Sequence, residues 1–251
     1  MNDDIYLSIV IPLKNEDESI PILSEEIQKA LYTFGGKWEC LFVDDGSTDR
    51  SAEIIGNLCD VHDNYFLIRF EKNHGQSAAL STGFRLANGK LITMLDADLQ
   101  NDPADIPRLV RHLETEQVDL VNGIRLKRQD NFIRKISSKI ANGFRNWVTK
   151  SHVTDVGCSI RVFKRECIDN VPVFKGMHRF LPTLIELNGF KMSEFTVNHR
   201  PRILGKTKYG INNRLWVGIA DTFAVRWMQN RFVGGKINYS VISGRKIKDG
   251  K

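Results

Sequence analysis

The sequence has few cysteines and no long apolar run, and it lacks the usual cofactor-loop signatures. Its four cysteines, at 40, 59, 158 and 167, form no Cys-x-x-Cys pair and no short Cys/His cluster. That argues against a structural zinc site or a redox dithiol and fits a reducing compartment. No apolar stretch approaches the ~20 residues that span a bilayer, so any contact with a membrane is expected to be peripheral. The turn after the first expected strand carries no Gly-x-Gly-x-x-Gly, and no Walker-type phosphate loop occurs, which removes two nucleotide-binding architectures. No Ser/His/Asp or Cys/His arrangement stands in a recognisable context. An acidic start (Asp3, Asp4) that soon becomes strand-like does not suit a secretory signal, and the cytoplasm is the expected compartment.

What is present suits one large domain. A chain of 251 residues buries a substantial core, and no repeat or linker divides it. Thirty-six basic against thirty acidic residues give a net charge of +6. Such a surface favours anionic partners, and nucleic acid, nucleotides and anionic lipid all qualify.

The first half alternates strand and helix. Strands are expected at 7–12, 40–43, 65–70, 90–95 and 119–123, because short β-branched runs there end at turn formers. Helices are expected at 19–31, 48–58, 77–87 and 105–116, with Asp49 near the start of the second, where negative charge is favoured. Strand–helix alternation implies parallel βαβ units and an open α/β sheet. The second half is less regular: helices at 132–150, 180–187 and 212–231, strands at 158–163 and 191–197, then a polar, basic tail over 232–251.

In parallel α/β sheets, ligands bind beyond the carboxyl ends of the strands. Lys14-Asn15-Glu16, Asp44-Asp45-Gly46-Ser47 and Asp96-Ala97-Asp98 all follow strands, so they converge on one rim if those strands are neighbours. Carboxylates gathered there repel one another unless a cation is present. A nucleoside diphosphate needs a divalent ion for the same reason, so an oxygen-rich site for Mg²⁺ or Mn²⁺ meets both requirements. Asp-Asp-Gly-Ser is also ordinary turn chemistry, and an Asp-x-Asp triplet alone is weak. The weight lies in finding both at strand ends, in this order.

Val10-Ile-Pro-Leu-Lys-Asn-Glu16, Val43-Asp-Asp-Gly-Ser-Thr-Asp49 and Leu95-Asp-Ala-Asp-Leu-Gln100 resemble the signature of family 2 glycosyltransferases. Within that family the chain resembles the polyprenyl-phosphate glycosyltransferases, the group of dolichyl-phosphate mannose synthase. The likeness covers about residues 7–231. It implies a GT-A fold, an α/β domain over 1–231 with a mostly parallel central sheet flanked by helices and a C-terminal amphipathic helix. The nucleotide-binding half would be about 1–125 and the acceptor half about 126–231. It further implies an inverting, metal-dependent hexosyltransferase that moves a sugar from a GDP- or UDP-sugar to a polyprenyl or dolichyl phosphate.

Position by position, the resemblance places Pro12, Lys14, Glu16, Asp44 and Asp45 at the nucleoside, although members often carry an aromatic residue where Lys14 stands. Asp96, Ala97, Asp98 and Gln100 match the metal and diphosphate motif. Asp98 and Gln100 would ligate the ion directly, with Asp96 nearer the nucleotide. Arg125, Arg134 and Ser138 resemble the residues that hold the lipid phosphate, a task suited to guanidinium forks. Asp155-Val-Gly-Cys-Ser-Ile-Arg161 and Met177-His-Arg-Phe-Leu-Pro182 resemble segments beside the acceptor cleft. Arg202-Ile-Leu-Gly-Lys-Thr-Lys-Tyr209 resembles a loop over the donor, with Arg202 and Lys208 neutralising the leaving diphosphate.

Trp216, Ile219, Ala220, Phe223 and Trp227 recur at helical spacing with Arg214, Arg226 and Arg231 nearby. This is the pattern of a helix lying in a lipid interface, here on the cytoplasmic face of a membrane; core packing produces a similar stripe. A membrane-protein partner or a homo-oligomer is compatible with it, and no nucleic-acid-reading motif is present. The alternative within the family is transfer to a sugar hydroxyl. That chemistry needs a carboxylate base on the acceptor side, for which Asp155 is the candidate.

Overall fold

The computed structural model describes residues 5–125, 132–201 and 212–231, the side chains of 132–140 and 212–215 excepted. Arg202, Lys208 and the 232–251 tail lie outside the described residues, as do the side chains of Arg134, Ser138 and Arg214.

Seven strands form one sheet: β1 (Ile5–Leu13), β2 (Lys37–Asp44), β3 (Tyr65–Arg69), β4 (Leu91–Met94), β5 (Leu120–Arg125), β6 (Arg161–Lys164) and β7 (Met192–Val197). Their order across the sheet is β3-β2-β1-β4-β6-β5-β7. All neighbours run parallel except β6, which is antiparallel to both β4 and β5. The expected mostly parallel sheet is therefore present. The insertion of β6 between β4 and β5 was not foreseen, because sequence order carries no signal for a strand that doubles back.

Helices cover both faces. Leu7, Ile9, Ile11 and Leu13 of β1 pack with Ile20, Leu23, Ile27 and Leu31 of α1 (Ile20–Leu31) and Ile106, Leu109, Val110 and Leu113 of α4 (Asp105–Thr115). Val10 points the other way. It joins Ala79, Leu80 and Phe84 of α3 (Gln76–Leu86) and Leu181, Leu184 and Ile185 of α6 (Leu181–Leu187). Period-2 strands facing period-3.6 helices produce these two layers directly. The remaining helices are α2 (Ser51–Val61), α5 (Phe132–Thr149) and α7 (Asn212–Arg231), and α5 packs on α7.

Boundaries moved where side chains compete for the backbone. The expected helix from Thr48 begins at Ser51, because Asp44 to Asp49 form a turn instead. Asp44 Oδ1 accepts the Ser47 amide at 2.8 Å, and Asp49 Oδ1 accepts the Ser51 amide at 3.0 Å. Gly46 has φ +69, and a Cβ there would lie 2.8 Å from the Lys72 backbone, so only glycine fits. β6 begins at Arg161 rather than Cys158, and a short 3₁₀ turn (Met177–Arg179) precedes α6.

The opposite rim of the sheet is fastened by a buried carboxylate. Glu39 on β2 is 3% exposed. It accepts hydrogen bonds from Ser8 Oγ at 2.6 Å, the Asn88 amide at 2.5 Å and Asn88 Nδ2 at 3.2 Å, while the Gly89 amide donates to Ser8 Oγ at 2.7 Å. Removing this acceptor strands several buried donors at about 1–3 kcal/mol each. Glu39→Ala is expected to lower stability by about 3 kcal/mol in a urea titration with an unchanged m-value.

Candidate active site

β2, β1 and β4 are consecutive in the sheet, so their three carboxyl ends do meet on one rim. Pro12 is buried within β1, paired with Val43, and Lys14 and Glu16 follow it half-buried. The β1 and β2 loops are laced together. The Asn15 amide donates to Ser47 Oγ at 2.9 Å, the Thr48 amide to Asn15 Oδ1 at 2.8 Å, and the Glu16 amide to Ser51 Oγ at 2.9 Å. Asn15 adopts φ 51, a left-handed conformation that asparagine tolerates better than most residues.

The two central carboxylates are occupied within the protein. Asp44 is fully buried; one oxygen holds the Ser47 amide, and the other lies 3.6 Å from Arg69 Nε. Asp45 is 5% exposed and accepts the His74 amide at 2.6 Å and the Gly75 amide at 2.8 Å. Both tie together the loops that enclose the rim.

Beyond β4, Asp96, Asp98 and Gln100 are half-buried and Ala97 is buried. Asp96 Oδ1 accepts Gln76 Nε2 at 2.9 Å, and Asp98 Oδ1 accepts the Gln100 amide at 3.2 Å. Leu99 takes φ 61, which turns the chain sharply after the triplet. Asn101 then donates to Ser159 Oγ at 2.7 Å and bridges His199, fixing the β4 end against the acceptor-side segments. Among the described residues no group of three His, Cys, Asp or Glu side chains converges as a ready-made metal cage. The donor set at the rim is two carboxylates and a carboxamide.

On the other side of β6, Arg125 at the end of β5 meets Asp155 in a two-pronged ion pair, Nε to Oδ2 at 2.7 Å and a terminal nitrogen to Oδ1 at 2.8 Å. The side chains are 13% and 7% exposed. Asp155 also accepts the Arg125 and Gly157 amides, and Asn122 holds its carbonyl. A Cβ on Gly157 would lie 2.6 Å from the guanidinium, so a larger residue here would have to displace the tip of Arg125.

Asp96 and the Arg125 side of the site share a cavity of about 740 Å³, which the β1 and β2 loops, Asp98 and Gln100 do not line. Gln76, Phe144, Phe180 and Ile219 line it, as do Arg125, Arg145, Arg161 and Arg179. Arg161 is 1% exposed. It donates to the His178 carbonyl at 3.1 Å and to the Cys158 carbonyl, and its Nε has no hydrogen-bond partner. Burial pulls its pKa down to about 10, against the attraction of Cys158, Asp96 and Asp155, so it stays charged at neutral pH. His178 faces Ser77, Nδ1 to Oγ at 3.1 Å.

Sequence reasoning assigned no role to Gln76 or Arg145, and it placed Arg161 and Arg179 in segments expected beside the acceptor cleft without singling either out. The signal for Arg161 was present: an arginine inside the apolar run Cys158–Phe163 is a charge that burial must justify. Gln76 and Arg145 carry no sequence signal, since only the fold brings them to the cavity.

The profile of "Glycosyl transferase family 2" matches residues 8–171. The chain is similar to dodecaprenyl-phosphate galacturonate synthase of Rhizobium johnstonii, at 37% identity over 227 residues, covering 88% of this chain and 66% of the relative. It is also similar to undecaprenyl-phosphate 4-deoxy-4-formamido-L-arabinose transferase of Salmonella newport, at 39% identity over 204 residues, 81% of this chain and 62% of the relative. The chain thus spans just under two thirds of these relatives' lengths. Glucosyl-3-phosphoglycerate synthase from Mycobacterium tuberculosis, solved with Mn²⁺, UDP and glucosyl-3-phosphoglycerate, has a TM-score of 0.64 at 17% identity, covering 90% of this chain and 80% of that one. At that identity the likeness is one of fold, and the fold is GT-A-like.

Breaking a buried ion pair from one side leaves an uncompensated charge, at a cost of about 3–5 kcal/mol. Asp155→Ala is expected to destabilise the protein by about 3 kcal/mol, and Arg125→Ala in the same chain to restore part of that. Denaturant titrations of the single and double variants measure the coupling.

Proposed function

The chain belongs to glycosyl transferase family 2, and from that premise we propose that it transfers a sugar from a nucleotide diphosphate donor to a polyprenyl phosphate with inversion. The observation that carries this reading is the composition of the cavity described above. Asp96 of the donor motif, guanidiniums suited to a phosphate and apolar side chains of α5 and α7 suited to a prenyl chain line it together. Two relatives, 37% and 39% identical over the residues they share with it, are a synthase and a transferase named for dodecaprenyl and undecaprenyl phosphate.

On this reading Pro12, Lys14 and Glu16 border the nucleoside, while Asp44 and Asp45 hold the loops around it. Asp96, Asp98 and Gln100 take the diphosphate and an Mg²⁺ or Mn²⁺ ion. A site of two carboxylates and an amide suits such an ion, which commonly completes its shell with ligand phosphates and water. Bound there, the ion supplies electrostatic relief to the departing diphosphate. Arg125, Arg134 and Ser138 orient the acceptor phosphate, and Arg202 and Lys208 offset charge on the leaving group.

The acceptor phosphate oxygen forms the new bond to the anomeric carbon as the bond to the diphosphate breaks. A phosphate monoester is largely ionised near neutral pH, so no side chain needs to remove a proton. Transfer to a sugar hydroxyl does need one, and Asp155 is badly placed for it. Both of its oxygens are engaged by Arg125 and by backbone amides.

The acceptor lies in a membrane, and α7 offers a means of reaching it. Trp216 is 72% and Trp227 63% exposed, with Phe223 and, from α5, Trp147 exposed as well. Of the stripe expected from the sequence, Trp216, Ala220, Phe223 and Trp227 face outward, while Ile219 is half-buried at the cavity and Thr222 and Val225 make the buried contacts. Among the described residues no helix is long and apolar enough to cross a membrane. Peripheral binding through this aromatic face fits an interfacial helix with arginines alongside.

Mass detection of a lipid-linked sugar from undecaprenyl phosphate and a panel of GDP- and UDP-sugars tests the activity. One donor should react, and EDTA should stop it. A bound cation contributes several kcal/mol, so Asp98→Ala is expected to lose about a thousandfold in turnover with the fold intact by circular dichroism. Near-normal turnover would remove Asp98 from the site. In liposome flotation, wild-type protein should float and Trp216→Glu with Trp227→Glu should stay behind; equal flotation of both would overturn the membrane role.

A further inference from the structure

Among the described residues, four guanidiniums and one carboxylate, Asp96, line the cavity. They are not equally compensated. Arg125 is matched by both oxygens of Asp155. Arg161 is fixed to two backbone carbonyls and feels the attraction of Asp96. Arg179 has Asp221 of α7 nearby, whose carboxyl is raised by burial against the pull of that arginine.

Arg145 is the exception. Its hydrogen-bond partner is the neutral Asn142 side chain, and its guanidinium stands 5.9 Å from the Phe180 ring centroid. Burial pulls its pKa down to about 10, and the like charge of Arg179 pushes the same way. The carboxylate that attracts it, Asp155, is already spent on Arg125. Two like charges facing one cavity, with Arg145 partly desolvated, are costly unless an anion joins them.

We infer that Arg145, with Arg179 beside it, is the principal anchor for the phosphate monoester of a lipid acceptor, whose first prenyl units lie against Phe144, Phe180 and Ile219. The inference rests on the proposed acceptor class and goes beyond it, because it moves the main phosphate contact from Arg125, whose charge is internally matched, to α5. A phosphate between Arg145 and Arg179 relieves their repulsion. The apolar wall then distinguishes a lipid phosphate from a small one. No covalent step is assigned to Arg145; it binds and orients.

The test is calorimetric titration of the full chain with farnesyl phosphate, farnesol and inorganic phosphate, in wild type, Arg145→Gln and Arg179→Gln. Hydrogen bonds from a charged group are worth about 1.5–3 kcal/mol, so Arg145→Gln should weaken farnesyl phosphate at least about tenfold. GDP or UDP binding with Mn²⁺ should be unchanged, which reports an intact fold. Farnesol and inorganic phosphate should each bind far more weakly than farnesyl phosphate. Equal binding of inorganic phosphate overturns the apolar half of the inference, and equal binding of farnesol overturns the anionic half.

If the wild type binds farnesyl phosphate and both variants bind it equally well, the anchor assignment fails and the proposed function stands. If the wild type does not bind it at all, the lipid-phosphate reading fails with it. Should the variants lose nucleotide binding through misfolding, the wild type decides the matter. Farnesyl phosphate should protect Arg145 and Arg179 from phenylglyoxal in peptide mass maps, and unprotected modification of both would overturn the inference.

Discussion

Carboxylates crowded at the ends of adjacent parallel strands repel one another, and the way each is compensated governs the architecture around them. Asp45 is held by two backbone amides of the His74–Gly75 turn, and Asp44 by the Ser47 amide. Through these bonds the two residues serve as fixed internal anchors for the loops. Asp96 and Asp98 differ in position: they are half-buried, and accept the Gln76 side-chain amide and the Gln100 backbone amide respectively. The rim therefore divides into two buried carboxylates that tie its loops together and two that reach its surface.

This division was only partly legible in the sequence. The three motifs, their order and their convergence could be read, because parallel strands put their carboxyl ends on one side and β2, β1 and β4 follow the usual neighbour rules. The finer roles could not. Nothing in Asp44-Asp45 says that both side chains turn back to nearby amides, which depends on a turn 29 residues away for Asp45. Thr48 was a reasonable first helical residue by propensity, yet Asp44 and Asp49 captured the backbone amides that a helix would have used.

The acceptor half was the harder part for the same reason. Its cavity is assembled from the end of β5, the approach to β6, the turn before α6 and the faces of α5 and α7. Local pattern fixes each piece, and only long-range packing brings them together. Arg125 and Asp155, thirty residues apart, were each legible as a functional candidate. Their pairing was not, and it changes both readings: it neutralises the proposed phosphate ligand and occupies the would-be base.

β6 has a mechanical consequence. It is only four residues long, yet it is hydrogen-bonded along one edge to β4 and along the other to β5. The strand bearing the donor motif and the strand bearing Arg125 are thus joined through a continuous ladder, with no hinge between them. The two sides of the cavity cannot rock open like jaws, as lobes joined by a linker do. The end of β4 that leads into the donor motif and the end of β5 that carries Arg125 are kept one strand apart by this ladder.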